Sequence, residues 1–333
     1  MAPLIQDSPS SGTPPPTPFD HKPTVHLLDD FHPEVMAYCN QHFNAITKSH
    51  PDHKNWRSDA RYLLVRGSHV TASDIAACPN LRAIGKQGVG IDKIDAAACA
   101  ARGIPILNTP GVNARAVAEL VLTLTSAVAR QVGSIAARQS AGKRVPKESC
   151  GGLLLHRKTV GILGMGNIGR EVARIFIGGF EANVVAYDPL VTADTWTGIA
   201  HKRAASVEEV LKSADVVTVH MPLTDETRGL ISYEKMRLMR RTAILINTAR
   251  GGIVNEADLE RALTEGLIWG AGLDCHEEEP PSKERYERLW ELGVVSTPHI
   301  GAATGETQMQ TGMRAAERIL EFVEAEKQGN KNI

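Results

Sequence analysis

Three polar features with complementary chemistry follow predicted strands in the C-terminal half of the sequence. Arg250 lies in NTARGG, a run of glutamates lies in LDCHEEEPP, and His299 lies in TPHIGAAT. A planar guanidinium can bind a carboxylate through two hydrogen bonds. An imidazole that titrates near neutral pH can donate a proton to a carbonyl oxygen as negative charge develops on it. Together these residue types suit the reduction of a 2-oxo acid by hydride transfer.

The acidic run has a role in this interpretation. A carboxylate beside His299 would favour the imidazolium and hold the orientation of the ring. We predict that Glu279, next to the prolines, faces His299, and that Glu277 and Glu278 are solvated. Taken singly, each feature has a more common explanation: a surface salt bridge for Arg250, a structural role for the histidine and a solvated loop for the glutamates.

The segment GILGMGNIGREVARIF contains a glycine loop between a predicted strand and a helix. Gly164, Gly166 and Gly169 would provide a tight turn, close approach of the backbone to a pyrophosphate, and close packing of helix on strand. The free N–H groups at the helix N-terminus favour phosphate binding. A lone GxGxxG is weak evidence, but here the next strand ends at Asp188, which could accept hydrogen bonds from an adenosine ribose. The sequence therefore predicts a dinucleotide site, and the alternative for Asp188 is a turn residue before Pro189.

Asp188 also indicates which dinucleotide binds. Its negative charge would repel a 2′-phosphate, and the following Pro189, Leu190 and Val191 offer no arginine to hold one. We therefore predict NAD (NADH/NAD+) rather than NADP.

The elements that must position these residues form two series of short apolar runs that alternate with helix-length segments. This alternation is typical of an α/β fold with parallel sheets and right-handed crossovers. The first series is TVHLL, RYLLV, LRAIG and IPIL, and the second is TVGILG, NVVAYD, DVVTVH, AILIN, WGAGLD and VVSTP. The second series suffices for a complete doubly wound sheet, in which ligands bind outside the carboxyl ends of the strands.

The composition is that of an ordinary globular protein. The chain has 333 residues and a mass of 36.0 kDa, with 42% hydrophobic and 23% charged residues, which gives room for two domains. A formal net charge of -1 gives no electrostatic reason to expect nucleic acid or an anionic membrane as a partner. The five cysteines are scattered without a CxxC pair, so neither a disulfide framework nor a zinc site is indicated.

The N-terminal segment differs from the rest of the chain. Seven of the 18 prolines fall within residues 1–23, mixed with serine and threonine, and we interpret this segment as a flexible tail. It lacks the basic and apolar regions of a signal peptide, so we expect a cytoplasmic protein.

Several motifs resemble those of the D-isomer-specific 2-hydroxyacid dehydrogenases, the family of phosphoglycerate, glyoxylate/hydroxypyruvate and formate dehydrogenases. They are GVGIDKID, NTPGVNARAVAEL, GMGNIG, HMPLTDETRGLI, INTARGGIVNEADL, GLDCHEEEP and TPHIGAAT, and the resemblance covers roughly Val65 to Ala325. It implies a Rossmann-type doubly wound parallel sheet inserted into a smaller flavodoxin-like α/β substrate domain. The substrate domain would comprise residues 24–112 and 299–333, and the NAD-binding domain residues 113–298.

The resemblance also implies roles for individual residues. Arg250, Glu279 and His299 match the family's catalytic residues, and Asp274 matches the aspartate that contacts the nicotinamide carboxamide. The positions that match cofactor contacts are Gly164, Gly166, Asn167, Ile168, Gly169, Asp188, Pro222, Thr248, Ala249, Arg250, Asp274, His299, Gly301 and Ala302.

On the substrate side, Gly88, Val89 and Gly90 match the loop that receives a carboxylate. Lys86 matches a basic residue that faces the substrate in phosphoglycerate-type members, which would favour a second anionic or polar group; a solvent-facing lysine is the alternative. The expected substrate is a small 2-oxo or 2-hydroxy acid, the expected assembly is a homodimer, and no metal is expected.

Two positions depart from the family pattern, since His276 replaces a common phenylalanine and Arg144 a common tryptophan.

Two other functions are compatible with the sequence. One is an NAD-sensing corepressor whose tail docks a protein partner, and the other is a dehydrogenase of another small anion such as formate or phosphite.

Overall fold

The computed structural model describes residues 22–192 and 194–329, so most of the predicted N-terminal tail lies outside the described residues. The chain divides into two compact units. The first comprises the described residues up to Gly85, residues 93–107 and those from Ala316 onward. The second comprises residues 86–92 and 108–315.

The first unit contains a parallel sheet covered by short helices. Its strands are β1 (Thr24–Leu27), β2 (Asn44–Ile46), β3 (Tyr62–Val65), β4 (Ala83–Lys86) and β5 (Ile106–Leu107). Its helices are α1 (Pro33–His42), α2 (Trp56–Asp59), α3 (Ala72–Ala77) and α4 (Ala96–Ala101), with a 3-10 turn at Pro51–Asn55. The strand order β2-β1-β3-β4-β5 is the flavodoxin order. Strands β3 and β4 are buried throughout, as expected for parallel strands covered on both faces.

The second unit contains a larger parallel sheet. Its strands are β6 (Thr159–Leu163), β7 (Asn183–Tyr187), β8 (Lys202–Arg203), β9 (Val216–Val219), β10 (Ile244–Asn247), β11 (Gly270–Leu273) and β12 (Val295–Ser296). Its helices are α5 (Ala114–Ala129), α6 (Val132–Ser140), α7 (Asn167–Phe180), α8 (Val207–Ser213), α9 (Tyr233–Met236), α10 (Glu256–Thr264) and α11 (Lys283–Glu291), with a 3-10 turn at Lys147–Ser149. Helix α12 (Gly305–Lys327) begins in this unit and ends in the first. The strand order β12-β11-β10-β9-β6-β7-β8 is that of a doubly wound Rossmann sheet.

Apolar side chains form a layer on each face of the second sheet. One layer contains Leu124 of α5 and Phe176 of α7, and the other contains Leu259 of α10 and Leu289 of α11. Successive residues of β6 belong to different layers, because side chains alternate along a strand. The sheet is therefore covered on both faces, and its strand ends are left to carry polar groups.

Each apolar run singled out in the sequence coincides with a strand. The sequence missed β2 and β8, two short edge strands with polar or mixed sequences, NAI and KR. The last helix, α12, buries Ala315, Ala316, Ile319 and Val323.

The predicted domains differ from the compact units at residues 86–92, 108–112 and 299–315, which the sequence assigns to the substrate domain and which lie in the second unit. Residues 86–92 belong to the second unit, because their loop bonds to segments of that unit: Asn108 and Thr109 hold the 88–89 backbone, and Gln87 bonds Gln308. Residues 299–315 also belong to the second unit, where the backbone at the start of this stretch is bound by Asp274.

Among the described residues, no single helix has the length and apolar character needed to cross a bilayer. Helices α5 and α6 together meet that criterion, with a bend of 65° between them.

Candidate active site

Three neighbouring strands of the second sheet end at the same level. Strand β10 pairs with β11 so that Asn247 is opposite Leu273, and β11 pairs with β12 so that Leu273 is opposite Ser296. The segments that follow these three ends carry the three predicted catalytic residues. Parallel pairing therefore brings together residues that are far apart in the sequence.

His299 and Glu279 form a hydrogen-bonded dyad. Nδ1 of His299 lies 2.9 Å from Oε2 and 3.1 Å from Oε1 of Glu279. An ionised carboxylate can only accept, so Nδ1 carries the hydrogen, and Nε2 is the nitrogen that can exchange a proton with a ligand. The two side chains are 43% and 38% exposed, which leaves the dyad open to a small molecule.

The environment of Glu279 favours its ionised form. Burial opposes ionisation, but the hydrogen bond and charge of His299, together with the backbone N–H of His276 at 3.2 Å, outweigh it. The pKa of Glu279 consequently lies below its ordinary value near 4.5. At neutral pH the dyad thus contains a carboxylate.

The other two glutamates of the acidic run are exposed, as predicted, but each has a partner in the protein. Arg285 forms an ion pair with Glu277 and lies 3.8 Å from Glu278. The hydroxyl of Ser282 also donates to Glu278 at 3.2 Å. The acidic segment is therefore bound along its length, and Glu279 is the member that reaches His299.

A buried carboxylate holds the turn that carries His299. Asp274 is 1% exposed and accepts hydrogen bonds from the Thr297 hydroxyl at 2.7 Å, from Ile300 N at 2.7 Å and from Gly301 N at 2.9 Å. Its carbonyl oxygen accepts from His299 N at 2.8 Å, and His299 has a φ of 57°. Left-handed backbone is uncommon for a non-glycine residue, although histidine adopts it more readily than most. The contact of Asp274 with the nicotinamide carboxamide stays a prediction; Oδ1 already accepts two of these hydrogen bonds, so Oδ2 is the oxygen with acceptor capacity left.

Arg250 lies against the glycine loop that follows β4. Its Nε donates to Asp92 Oδ2 at 3.0 Å, and its Nη1 donates to the carbonyl of Ala249 at 2.6 Å. A Cβ on Gly90 would lie 1.9 Å from Nη2, so a larger residue there would displace the end of the Arg250 side chain. The structure thus brings Arg250 and the predicted carboxylate loop together. The sequence did not identify Asp92, although it lies within the GVGIDKID motif.

Hydrogen bonds from the segment after β5 fix the predicted substrate loop. Gly88 N donates to Thr109 Oγ1 at 3.0 Å, Thr109 N donates to Gly88 O at 3.0 Å, and Asn108 Nδ2 donates to Val89 O at 2.7 Å. The loop is therefore bound to the second unit.

Lys86 is buried beside this loop. It is 8% exposed, its Nζ donates to Gln87 O at 2.6 Å, and a Cβ on Gly88 would lie 3.8 Å from Nζ. The alternative interpretation, a solvent-facing lysine, is wrong. The proximity of its ammonium to the loop is compatible with a substrate-facing role, which stays a prediction.

The GxGxxG loop has the packing that its sequence predicts. Gly164 has a φ of 105°, and a Cβ there would lie 2.5 Å from the carbonyl oxygen of His220. A Cβ on Gly169 would lie 2.3 Å from the carbonyl oxygen of Gly164. In contrast, a Cβ on Gly166 meets no protein atom within 4 Å. Two glycines are thus required by the fold, and the third leaves open space at the N-terminus of α7, where a phosphate could lie.

Asp188 fixes the backbone at the end of β7. Its carboxylate accepts from Met165 N at 2.8 Å and from Leu190 N at 2.9 Å. The sequence missed Arg203, which donates to the carbonyl oxygens of Asp188, Val191 and Thr192. An arginine therefore does lie near Asp188, but its guanidinium is engaged by three carbonyls.

The other predicted cofactor residues lie at the carboxyl edge of the same sheet. Asn167 and Ile168 open α7, Pro222 follows β9, Thr248 and Ala249 follow β10, and Gly301 and Ala302 follow β12. Thr248 is 6% exposed, and its buried hydroxyl has no hydrogen-bond partner among the described residues. An unsatisfied buried hydroxyl at this edge fits a polar ligand.

The two departures from the family pattern differ in burial. Arg144 is exposed. His276 is 3% exposed, its Nε2 lies 2.9 Å from Ser296 Oγ, and its ring packs edge-on against Tyr286 with 5.0 Å between the ring centroids. Desolvation lowers the pKa of His276, which favours the neutral ring.

Cys275, Glu279 and His299 lie close enough for one metal ion, with ligand atoms within 4.8 Å of one another. Burial raises the pKa of the Cys275 thiol, which disfavours the thiolate that a metal would need. The carboxylate and imidazole are already bonded to each other. The chemistry of this set fits an acid–base dyad better than a metal site.

The sequence model of the NAD-binding domain of D-isomer specific 2-hydroxyacid dehydrogenases matches residues 122–301. The chain belongs to this family. The matched range includes the glycine loop, Asp188, Glu279 and His299.

Similar proteins include two curated relatives and a solved structure. The hydroxypyruvate reductase of Thermotoga maritima is 39% identical over 77% of this chain and 83% of that protein. A D-3-phosphoglycerate dehydrogenase of Methanocaldococcus jannaschii is 37% identical over 80% of this chain, which spans only 51% of that relative. The D-lactate dehydrogenase of Aquifex aeolicus, solved with NAD and lactic acid, is 25% identical with a TM-score of 0.75, covering 92% of this chain and 96% of that one.

We predict that Gly166→Val weakens NADH binding without destabilising the fold. The new side chain meets no protein atom but occupies the open space beside the N-terminus of α7. The expected change is a rise in Kd of about 10-fold or more, equivalent to about 1.4 kcal/mol. NADH fluorescence titration measures this Kd.

The control is Gly178→Ala, since Gly178 is an exposed glycine of the same helix with no neighbour within 4 Å. This variant should bind NADH like the unmodified protein. Unchanged binding by Gly166→Val would contradict the assigned phosphate position.

Proposed function

We propose that this protein is an NAD-dependent oxidoreductase that interconverts a small 2-oxo acid and the corresponding D-2-hydroxy acid. The observation that carries the proposal is the His299–Glu279 dyad. Nδ1 is engaged by the carboxylate at 2.9 Å, which leaves Nε2 for proton exchange with a substrate. Arg250 at the glycine loop supplies the cation that a carboxylate substrate needs.

The residues at the sheet edge fit the dinucleotide. Gly164, Gly166 and Gly169 with the N-terminus of α7 would hold the pyrophosphate, and Asp188 the adenosine ribose. The unsatisfied Thr248 hydroxyl would face the cofactor. When bound, NADH supplies the hydride for reduction, and NAD+ accepts it in the reverse direction.

Arg250 and the 88–90 loop would bind the substrate's carboxylate. Two hydrogen bonds from Arg250, to Asp92 and Ala249, fix the guanidinium before substrate arrives. A fixed cation needs little reorganisation when charge develops on the carbonyl oxygen. Its roles in this mechanism are to orient the 2-oxo acid and to stabilise the growing negative charge.

His299 would exchange the proton. In reduction, Nε2–H of the imidazolium donates to the carbonyl oxygen; in oxidation, neutral Nε2 accepts the hydroxyl proton. Glu279 keeps Nδ1 protonated and stabilises the imidazolium. These residues would supply acid–base chemistry in either direction.

The first test measures NADH oxidation with pyruvate, glyoxylate, hydroxypyruvate, phosphohydroxypyruvate, phenylpyruvate and branched 2-oxo acids, each repeated with NADPH. We expect an NADH-dependent activity that His299→Ala lowers by about 10²–10⁴-fold, the range for a general acid. The circular dichroism spectrum of His299→Ala should match that of the unmodified protein, which excludes loss of the fold. If NADH binds but no 2-oxo acid is reduced, the proposal fails.

We predict that Lys86→Ala lowers activity more on phosphohydroxypyruvate than on pyruvate. The buried ammonium lies beside the substrate loop and would stabilise a second anionic group. Steady-state kcat/KM for the two substrates measures the preference. An equal loss on both substrates would leave Lys86 with a packing role.

We predict that Glu279→Gln moves the alkaline fall of the reduction rate to lower pH. Reduction needs protonated His299, and the variant removes the negative charge that stabilises the imidazolium. Because the pKa of Glu279 is lowered, its carboxylate stabilises the imidazolium of His299 at every pH above the ordinary carboxyl range. That stabilisation is lost only when the pH falls through the lowered pKa of Glu279. The measurement is kcat/KM for reduction against pH, in the unmodified protein and the variant. An unchanged profile would show that Glu279 does not act on His299.

A homodimer is part of the same proposal and rests on the family resemblance. Light scattering during size-exclusion chromatography measures the mass in solution, and we expect the mass of a dimer. A monomeric mass would contradict the proposed homodimer.

A further inference from the structure

The acidic segment is fixed by two buried side chains that come from other parts of the chain. Glu277 N donates to Glu256 Oε1 at 2.8 Å, and Glu278 N donates to the hydroxyl oxygen of Tyr286 at 3.0 Å. The Tyr286 hydroxyl in turn donates to Glu256 Oε2 at 2.9 Å. Two successive peptide groups, immediately before Glu279, are therefore bound by one carboxylate and one phenol. The phenol satisfies both its donor and its acceptor capacity in this arrangement.

The side chains of Glu256 and Tyr286 are both buried, which suits residues that hold a backbone segment in place. Glu256 is 6% exposed and Tyr286 is 1% exposed. Glu256 is the first residue of α10, where the positive end of the helix dipole favours a carboxylate. Arg285 lies 3.4 Å from Glu256 and also pairs with Glu277, so the buried carboxylate has a cation nearby.

Tyr286 also contacts the start of the segment. Its ring packs edge-on against the ring of His276, with 5.0 Å between centroids and 80° between planes. His276 Nε2 bonds Ser296 Oγ at 2.9 Å, and Ser296 is the last residue of β12, the strand that leads to His299. Tyr286 thus contacts both the ring of His276 and the backbone of Glu278, and His276 connects the acidic segment to the strand that leads to His299.

We propose that Tyr286 and Glu256 are positioning residues that hold Glu279 at hydrogen-bond distance from His299. The inference rests on the proposed function and extends it, because neither residue reaches His299 itself. Tyr286 and Glu256 set the path of the backbone, and that path sets the position of the Glu279 carboxylate. Catalytic geometry is sensitive to such support, since a displacement of about 1 Å can cost about 10²-fold in rate.

Tyr286→Phe tests the proposal most directly. It removes the hydroxyl and keeps the ring against His276. We expect kcat for 2-oxo acid reduction to fall roughly 10-fold, within the cost of a sub-ångström displacement, while the KM for NADH stays the same. Glu256→Gln keeps one acceptor and should have a similar effect. Glu256→Gln can be measured in place of Tyr286→Phe if the latter variant does not fold. Glu287→Gln is the matched control, because Glu287 neighbours Tyr286, has a 55% exposed side chain and pairs only with Lys283 among the described residues.

The pH profile separates positioning from a general loss of stability. In both variants the reduction rate should fall at a lower pH than in the unmodified protein, because the imidazolium of His299 loses its fixed carboxylate. The other titratable or charged groups around the dyad stay in place; they are Asp92, Arg250, Asp274, Cys275 and His276. A lower kcat with an unchanged profile would overturn the proposal.

The double variant Tyr286→Phe with Glu279→Gln shows whether the effect passes through Glu279. If it does, Tyr286→Phe should cause no further loss once Glu279 has been replaced. If the two substitutions instead lower kcat independently, so that their effects multiply in the double variant, Tyr286 acts by another route and the inference is overturned.

A measurement without turnover distinguishes this inference from the proposed function. The C2 proton of His299, assigned with His299→Gln, reports its titration by NMR in the protein alone. Tyr286→Phe should move that titration to lower pH. The shift would support the positioning role even if no 2-oxo acid is reduced. An active protein with an unshifted titration would leave the proposed function intact and refute the positioning role.

Discussion

The geometry of the candidate site depends on the buried carboxylate of Asp274. It lies at the end of β11 and binds the turn that follows the neighbouring strand β12, through one hydroxyl and two backbone N–H groups. The left-handed conformation of His299 persists because these bonds compensate for its cost. Removal of the carboxylate would leave buried donors unsatisfied and would release the turn. Asp274 therefore fixes the backbone from which the imidazole projects, while Glu279 bonds the ring itself.

The three consecutive glutamates after β11 show how tertiary structure gives identical residues different roles. Glu277 pairs with Arg285, Glu278 is bound through its backbone by Tyr286, and Glu279 bonds His299. The ionisation of each glutamate depends in the same way on the balance between its burial and the partners that it bonds. Burial raises the pKa of Glu256, against the hydrogen bonds that it accepts, whereas for Glu279 the bonds from His299 and His276 prevail over burial. One short segment therefore combines carboxylates that the protein binds with the carboxylate that we propose for catalysis.

The sequence could predict what depends on local pattern. Parallel strands appear as continuous apolar runs, and a glycine loop between strand and helix is recognisable from its spacing, so the sheets and the strand ends with Arg250, Glu279 and His299 could be found. Contacts across long separations could not. Asp92 meets Arg250 across 158 residues, and Tyr286 meets Glu256 across 30. Arg203 was not predicted because it lies 15 residues after Asp188, whereas the prediction considered only the residues that directly follow Asp188. Edge strands β2 and β8 have no apolar run to reveal them.

The hydrogen bonds of Arg250 explain how a generic anion site could serve a specific reaction. Nε and Nη1 are engaged by Asp92 and Ala249, and Nη2 faces Gly90. The guanidinium is therefore fixed in one plane against a loop that is itself bound by Asn108 and Thr109. A cation fixed in this way can select the orientation of a carboxylate and carbonyl, but it cannot select the rest of the substrate, because every 2-oxo acid presents the same two groups. Discrimination would have to come from other residues near the loop, and Lys86 is the buried charged residue closest to it in sequence.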